Sequence, residues 1–120
     1  MGDERRSIER LTDQLRNDPG LSWGHLREFL TSRGVDPKRA AIAVLYPDDA
    51  FELTAVVVAS SDRMFEIRIE YPRSVKPSAA MEHGEITEWE DDAAQVRREN
   101  QPFSDIALEL LEAEIRGQGT

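Results

Sequence analysis

The chain contains no cysteine. This absence excludes disulfide bridges, zinc sites built from thiolates and catalytic thiol nucleophiles. The longest apolar stretch, residues 40–46, is much shorter than the roughly 20 residues that a membrane-spanning helix needs. Because the charged residues 1–6 lead into no apolar segment, the sequence predicts no secretory signal. We therefore expect a cytoplasmic protein with no membrane partner.

Motifs for phosphate binding and for common catalytic centres are also absent. The seven glycines occur singly and form neither a Walker A loop nor a dinucleotide-binding fingerprint. The zinc motif H-E-x-x-H and the nucleophile motif G-x-S-x-G do not occur. We therefore predict no catalytic residue, no metal site and no cofactor.

The composition is typical of a globular protein. Hydrophobic residues make up 39% of the 120 residues and charged residues 32%, which provides enough apolar side chains for a core. A chain of this length buries roughly two thirds of the surface that its unfolded form exposes. The sequence therefore predicts one compact domain over residues 1–120.

Apolar residues at helical spacing predict two helices in the first third of the chain. The first covers residues 4–17, with a narrow apolar stripe of Ile8, Leu11 and Leu15. The second has Ser22 as its N-cap and ends at Gly34. Its apolar stripe is wider and consists of Trp23, Leu26, Phe29 and Leu30.

The middle of the chain has the pattern of β-strands. Residues 42–46 and 51–59 are short apolar runs separated by a predicted turn at residues 47–50, and residues 65–71 alternate apolar with polar side chains. The short connections favour an antiparallel meander. Because residues 56–58 are all valine, we expect the strand that carries them to lie at the centre of the sheet. Residues 84–92 fit either a fourth, edge strand or a loop.

A closing helix is predicted after Ser104, with apolar residues through Ile115 directed inward. Because the strands are contiguous in the sequence and the helices lie towards its ends, the class is α+β. We predict an antiparallel meander of three to four strands, with two N-terminal helices and one C-terminal helix packed mainly on one face.

Most of the net charge of −9 lies in the last third of the chain. Acids outnumber bases by 11 to 3 in residues 81–120, whereas the counts are 7 and 8 in residues 1–40 and 6 and 4 in residues 41–80. An acidic surface repels nucleic acid and attracts basic protein surfaces. The distribution therefore favours a basic or amphipathic protein partner.

The segment after His83 concentrates this charge around a tryptophan. If it forms a strand, Glu88, Glu90 and Asp92 share one face because every second residue does so. A solvated surface and a metal site are the alternative interpretations, but the segment lacks the interleaved Gly and Asn typical of a calcium loop. The candidate partner-binding residues are Glu85, Glu88, Trp89, Glu90, Asp91 and Asp92.

The two histidines are the remaining candidates for chemistry near neutral pH. His25 falls in the predicted second helix, and His83 lies next to Glu82. Neither has a second histidine at metal-ligand spacing, so both are expected to be structural or solvated residues.

Three classes of function follow from these observations. The first is a non-enzymatic interaction module or adaptor that binds through its acidic C-terminal third. The second is a small-ligand binder or enzyme with a pocket between the sheet and the helices. The third is nucleic-acid binding through N-terminal arginines, which the interleaved Glu4, Glu9 and Asp13 disfavour. The sequence leaves the identity of the partner and the oligomeric state open.

Overall fold

A computed structural model describes residues 2–118 as a four-stranded sheet flanked by five α-helices. The helices are α1 (Gly2–Asn17), α2 (Leu21–Ser32), α3 (Ala80–His83), α4 (Ala93–Glu99) and α5 (Phe103–Gln118). The strands are β1 (Ala41–Asp49), β2 (Glu52–Ser60), β3 (Arg63–Glu70) and β4 (Glu85–Glu90). Residues 85–90 therefore form the fourth strand.

The strands follow one another in the order β1-β2-β3-β4, and each neighbouring pair is antiparallel. The predicted α+β class and antiparallel meander are therefore confirmed. The three valines at residues 56–58 are fully buried on β2, which is an inner strand.

Helices cover both faces of the sheet, whereas the sequence suggested mainly one. Val57 and Phe65 belong to a core cluster with Leu26 of α2, while Val56 and Leu108 of α5 belong to a second cluster. Neighbouring residues on a strand point to opposite faces. Because β2 carries apolar side chains on both faces, helices must pack on each face of the sheet.

Helix α1 packs along the outer edge of β1. The hydroxyl oxygen of Thr12 accepts a hydrogen bond of 3.2 Å from the backbone N–H of Ile42. Arg16 donates to the backbone carbonyl of Ala40 through Nη2 at 3.1 Å. These bonds satisfy backbone groups that an edge strand otherwise leaves open to another chain.

The first hairpin turn lies later in the chain than the sequence indicated. β1 extends through Pro47 to Asp49, so the turn is formed by Ala50 and Phe51, and Phe51 has a φ of 63°. An edge strand tolerates a proline because one side of its backbone has no partner strand. The composition of residues 47–50 therefore indicated a turn where the strand continues.

Two helix details also differ from the expectation. Helix α2 begins at Leu21 with Gly20 at the N-cap, so Ser22 is already helical. Ile115 is 68% exposed although it follows Leu111 by one turn, because the buried cluster of α5 ends at Leu111.

No helix among residues 2–118 has the length and apolar character to cross a membrane.

Candidate functional site

The predicted partner-binding residues lie on and just after the edge strand β4. Glu85, Glu88, Trp89 and Glu90 are in the strand, and the others follow it before α4. Within residues 2–118, β4 pairs only with β3, so its outer side has no partner strand. We call this group, Glu85, Glu88, Trp89, Glu90, Asp91 and Asp92, the β4 surface.

A β-bulge separates the acidic residues that were expected to share one face. Glu90 pairs with Glu66, whereas Glu88 pairs with Ile67, so one extra residue of β4, Trp89, lies between the two pairs. Since Glu66 and Ile67 are consecutive on β3, their partners Glu88 and Glu90 face opposite sides of the sheet. A bulge of this kind redirects a side chain.

Two acidic members of the β4 surface have structural partners. Asp92 lies outside the strand, and its carboxylate accepts a hydrogen bond of 3.2 Å from the backbone N–H of Gln95 at the start of α4. Glu88 forms an ion pair with Arg63 at 3.4 Å. Asp92 therefore acts as a helix cap, which also excludes it from a carboxylate triplet with Glu88 and Glu90.

The other acidic members are available for external contacts. Glu85 and Asp91 are exposed and Glu90 is partly buried, and none of the three has an ion pair within the described residues 2–118. The free acidic charge of the β4 surface is therefore concentrated on these three side chains.

Trp89 is 59% exposed and stacks on an arginine that the sequence did not single out. The guanidinium carbon of Arg68 lies 3.8 Å from the centroid of the Trp89 rings. The electron-rich face of an indole attracts such a cation. Trp89 therefore has one face against Arg68 and an indole surface open to solvent.

Three carboxylates hold the Arg68 guanidinium in place. Glu52 approaches it at 3.2 Å, Glu66 at 3.5 Å and Asp48 at 3.8 Å. When all are ionised, three negative charges face one positive charge. The group beneath Trp89 therefore keeps an acidic excess.

Burial raises the pKa values of two acidic side chains near Arg68. Partial burial raises the pKa of Glu66 above 4.5, and the charges of Asp48 and Glu99 add to the rise while Arg68 opposes it. Burial also raises the pKa of the Tyr46 phenol above 10.0, with Asp48 and Glu66 acting in the same direction and Thr54 and Arg68 against it. A carboxylate removed from water loses hydration of its charged form.

The strand register brings these polar residues into one row across the sheet. Tyr46 pairs with Thr54, Thr54 with Arg68, and Arg68 with Thr87. Side chains at directly paired positions lie on the same face. We call Tyr46, Thr54, Arg68 and Thr87 the polar row. The sequence alone did not reveal it, because its members lie on four strands whose register was unknown.

Neither histidine takes part in this arrangement. His25 is partly buried within α2, and His83 is exposed in α3 with its Nε2 3.8 Å from a carboxylate oxygen of Glu82. Within the described part of the chain, no three His, Cys, Asp or Glu side chains form a group that could hold a metal ion.

A groove of about 440 Å³ lies between α1, β1 and the connection from α4 to α5. Apolar side chains of Leu11, Val44 and Phe103 line it together with the polar Arg10 and Tyr46. Its volume lies within the range of small-ligand sites. Neither histidine lines it.

No protein-family model matches this chain, and neither curated proteins nor solved structures give a significant match.

Proposed function

We propose that this protein is a non-enzymatic interaction module of the cytoplasm that binds a basic segment of another protein through the β4 surface. The observation that carries the proposal is a largely exposed tryptophan on an edge strand, followed directly by Glu90 and Asp91, which have no ion pair within residues 2–118. Tryptophan is enriched among residues that dominate binding energy at interfaces. The acidic surroundings select a partner of opposite charge.

The charge distribution of the whole chain also supports a basic partner. Residues 81–120 contain 11 acids and 3 bases. Concentrated like charge destabilises the folded chain through self-repulsion, and a basic partner relieves that repulsion while it is attracted over a distance. A need for solubility would account for the acidic charge. It would not account for the exposed indole of Trp89 among the acidic residues of the β4 surface.

The groove beside β1 supports a second candidate, a small-ligand site between sheet and helices. Its apolar floor and its few polar groups, including Arg10 and Tyr46, are typical of such sites. A ligand held there would perturb α1 and β1 and leave β4 unchanged. Tyr46 lines the groove and also belongs to the polar row, so the two candidates differ in whether the residues of β4 respond to their ligand.

Charge reversal at the unpaired acids tests the first proposal. The variant carries Glu85→Lys, Glu90→Lys and Asp91→Lys, and so spares the ion pair of Glu88 and the helix cap of Asp92. The probe is a fluorescent peptide of about eight alternating arginine and threonine residues, long enough to cross a small sheet. Its dissociation constant is measured by fluorescence anisotropy at low salt, where charge attraction is least screened.

We expect this variant to bind the probe at least about tenfold more weakly than the wild type. The matched control reverses three exposed acids elsewhere, with Glu28→Lys, Glu109→Lys and Glu112→Lys, and has the same net charge. The control is expected to bind within about threefold of the wild type. Equal losses in the two variants would mean that the probe senses net charge alone, and the proposal would be wrong.

A further inference from the structure

The face of the sheet that carries the polar row is covered by helices at one end only. Helices α4 and α5 pack on Val56, Val58 and Met64. The polar row lies on the same face, towards the hairpin between β1 and β2. Glu66 lies between the helix-covered end and the row, and its pKa responds to Glu99 of α4.

Exposed aromatic side chains lie at the two edges of this open area. Tyr46 on β1 is 41% exposed, and Trp89 on β4 projects over Arg68 of the row. Trp89 lies on β4 two residues beyond Thr87, the end of the polar row. Neighbouring strands are roughly 4.8 Å apart, so the row spans about 14 Å from Tyr46 to Thr87 across three intervals. This distance corresponds to about four residues of extended chain.

The area between the aromatic residues is acidic. Asp48, Glu52 and Glu66 surround the single guanidinium of Arg68, which leaves an excess of negative charge. The stack of Arg68 on Trp89 shows that this area already accommodates an arginine against an indole. A partner arginine meets the same combination of carboxylate and aromatic surface.

The polar row also contains a buried hydroxyl without a proper hydrogen bond. Thr54 is 1% exposed, and among residues 2–118 its Oγ1 has no partner at normal hydrogen-bond distance and angle, although its interaction with the Tyr46 phenol lowers the pKa of that phenol. It lies in the row between Tyr46 and Arg68, beneath the area described above. A buried polar group without a well-formed hydrogen bond is uncommon and costs stability.

We propose that the basic partner segment lies across the four strands on this open face and contacts Trp89 at one end and Tyr46 at the other. The proposal deepens the proposed function, on which it rests, by assigning the docking surface and its direction. The cationic side chains of the segment pair with the excess carboxylates around Arg68. Binding along the outer edge of β4, as an added strand, is the alternative that the experiment separates.

The experiment compares substitutions at the two ends of the surface. Trp89→Thr and Tyr46→Thr each remove an aromatic ring but keep a residue that favours strands. The control is Leu21→Thr, which removes an apolar side chain that is 73% exposed at the start of α2. Thermal unfolding of every variant verifies that it is folded, and the arginine-threonine peptide is the probe. Spermine serves as a second probe, because it carries charge without a peptide backbone.

We expect Trp89→Thr and Tyr46→Thr each to weaken peptide binding about tenfold, and Leu21→Thr to leave it unchanged. Loss with Trp89→Thr but not with Tyr46→Thr would overturn the crosswise arrangement and leave the proposed function standing. Absence of peptide binding to the wild type would overturn the proposed function itself. If spermine binds as tightly as the peptide, the occupant is a small polycation and the assignment of a protein segment is wrong. Should Tyr46→Thr fail to fold, Tyr46→Val replaces it in the same comparison.

Discussion

At the scale of single residues, Arg68 organises the surface around Trp89. It stacks on the indole at 3.8 Å and faces three carboxylates. The alternating pattern of β3 predicted that Arg68 and Glu66 lie on the wetter face, and they do share a face opposite the buried Phe65. The pattern did not indicate that these side chains contact Trp89, because that contact requires the pairing of β3 with β4 and the bulge.

Glu66 provides a residue-scale prediction about pH. Its folded pKa is raised above 4.5, so the folded state keeps this proton to a higher pH than the unfolded chain does. The associated stability is present below the unfolded pKa and is lost as the pH rises through the folded pKa. In the Glu66→Gln variant the side chain cannot ionise, so we expect its free energy of unfolding not to fall for this reason. The stability of the variant relative to the wild type therefore rises as the pH increases through the folded pKa of Glu66, above 4.5.

Urea unfolding at a series of pH values measures this difference. The control is Glu109→Gln, an exposed position on α5, for which we expect a smaller change in the same pH range. Parallel stability profiles for the wild type and Glu66→Gln would contradict the role assigned to burial at this residue.

At the scale of elements, α1 is attached to the rest of the fold at the start of β1. Arg16 Nη1 donates to both carboxylate oxygens of Glu114 on α5 at 3.0 Å, while Nε and Nη2 reach the carbonyl of Ala40 at 3.3 and 3.1 Å. One planar guanidinium therefore connects α1, α5 and the edge of the sheet. Hydrogen bonds from a charged guanidinium to a carboxylate are stronger than those between neutral groups.

The substitution Arg16→Lys tests this connection. Lysine keeps the positive charge but lacks the planar fork that makes these contacts simultaneously. We expect it to lower the free energy of unfolding by about 1–2 kcal/mol, measured by urea denaturation. Arg5→Lys is the matched control, because Arg5 forms an exposed pair with Glu9 on the same helix, and it is expected to cost less than about 0.5 kcal/mol. Equal effects at the two positions would contradict the account of how α1 is held.

The sequence predicted elements well where a single period dominates. The stripe of Ile8, Leu11 and Leu15 predicted α1, and the alternation around Phe65 predicted β3. It failed where tertiary contacts decide a boundary, as at Pro47, which an edge strand accommodates. Gly84 is a similar case, because a Cβ there would lie 2.6 Å from Ile69 Cγ2. Nothing in the local sequence indicates that the chain passes so close to β3.

At the scale of the whole molecule, the two core clusters explain the distribution of helices and of charge. Three consecutive buried valines on β2 require an apolar layer on each face, so α2 and α5 lie on opposite sides of the sheet. The composition revealed the acidic C-terminal third but not its arrangement. Only the fold shows that Asp92 caps α4 and Glu88 pairs with Arg63, while Glu85, Glu90 and Asp91 have no ion pair within residues 2–118.

The most direct test of the account is an amide chemical-shift map of the ¹⁵N-labelled protein during titration with the arginine-threonine peptide at low salt. We expect the largest changes at the amides of Glu85–Glu90, at Asp91 and across the polar row, and their loss when salt is raised to about 0.5 M. Changes centred instead on Arg10, Leu11 and Phe103 around the groove, or spread evenly over the chain, would contradict the assignment of the acidic face around Trp89 as the interaction surface.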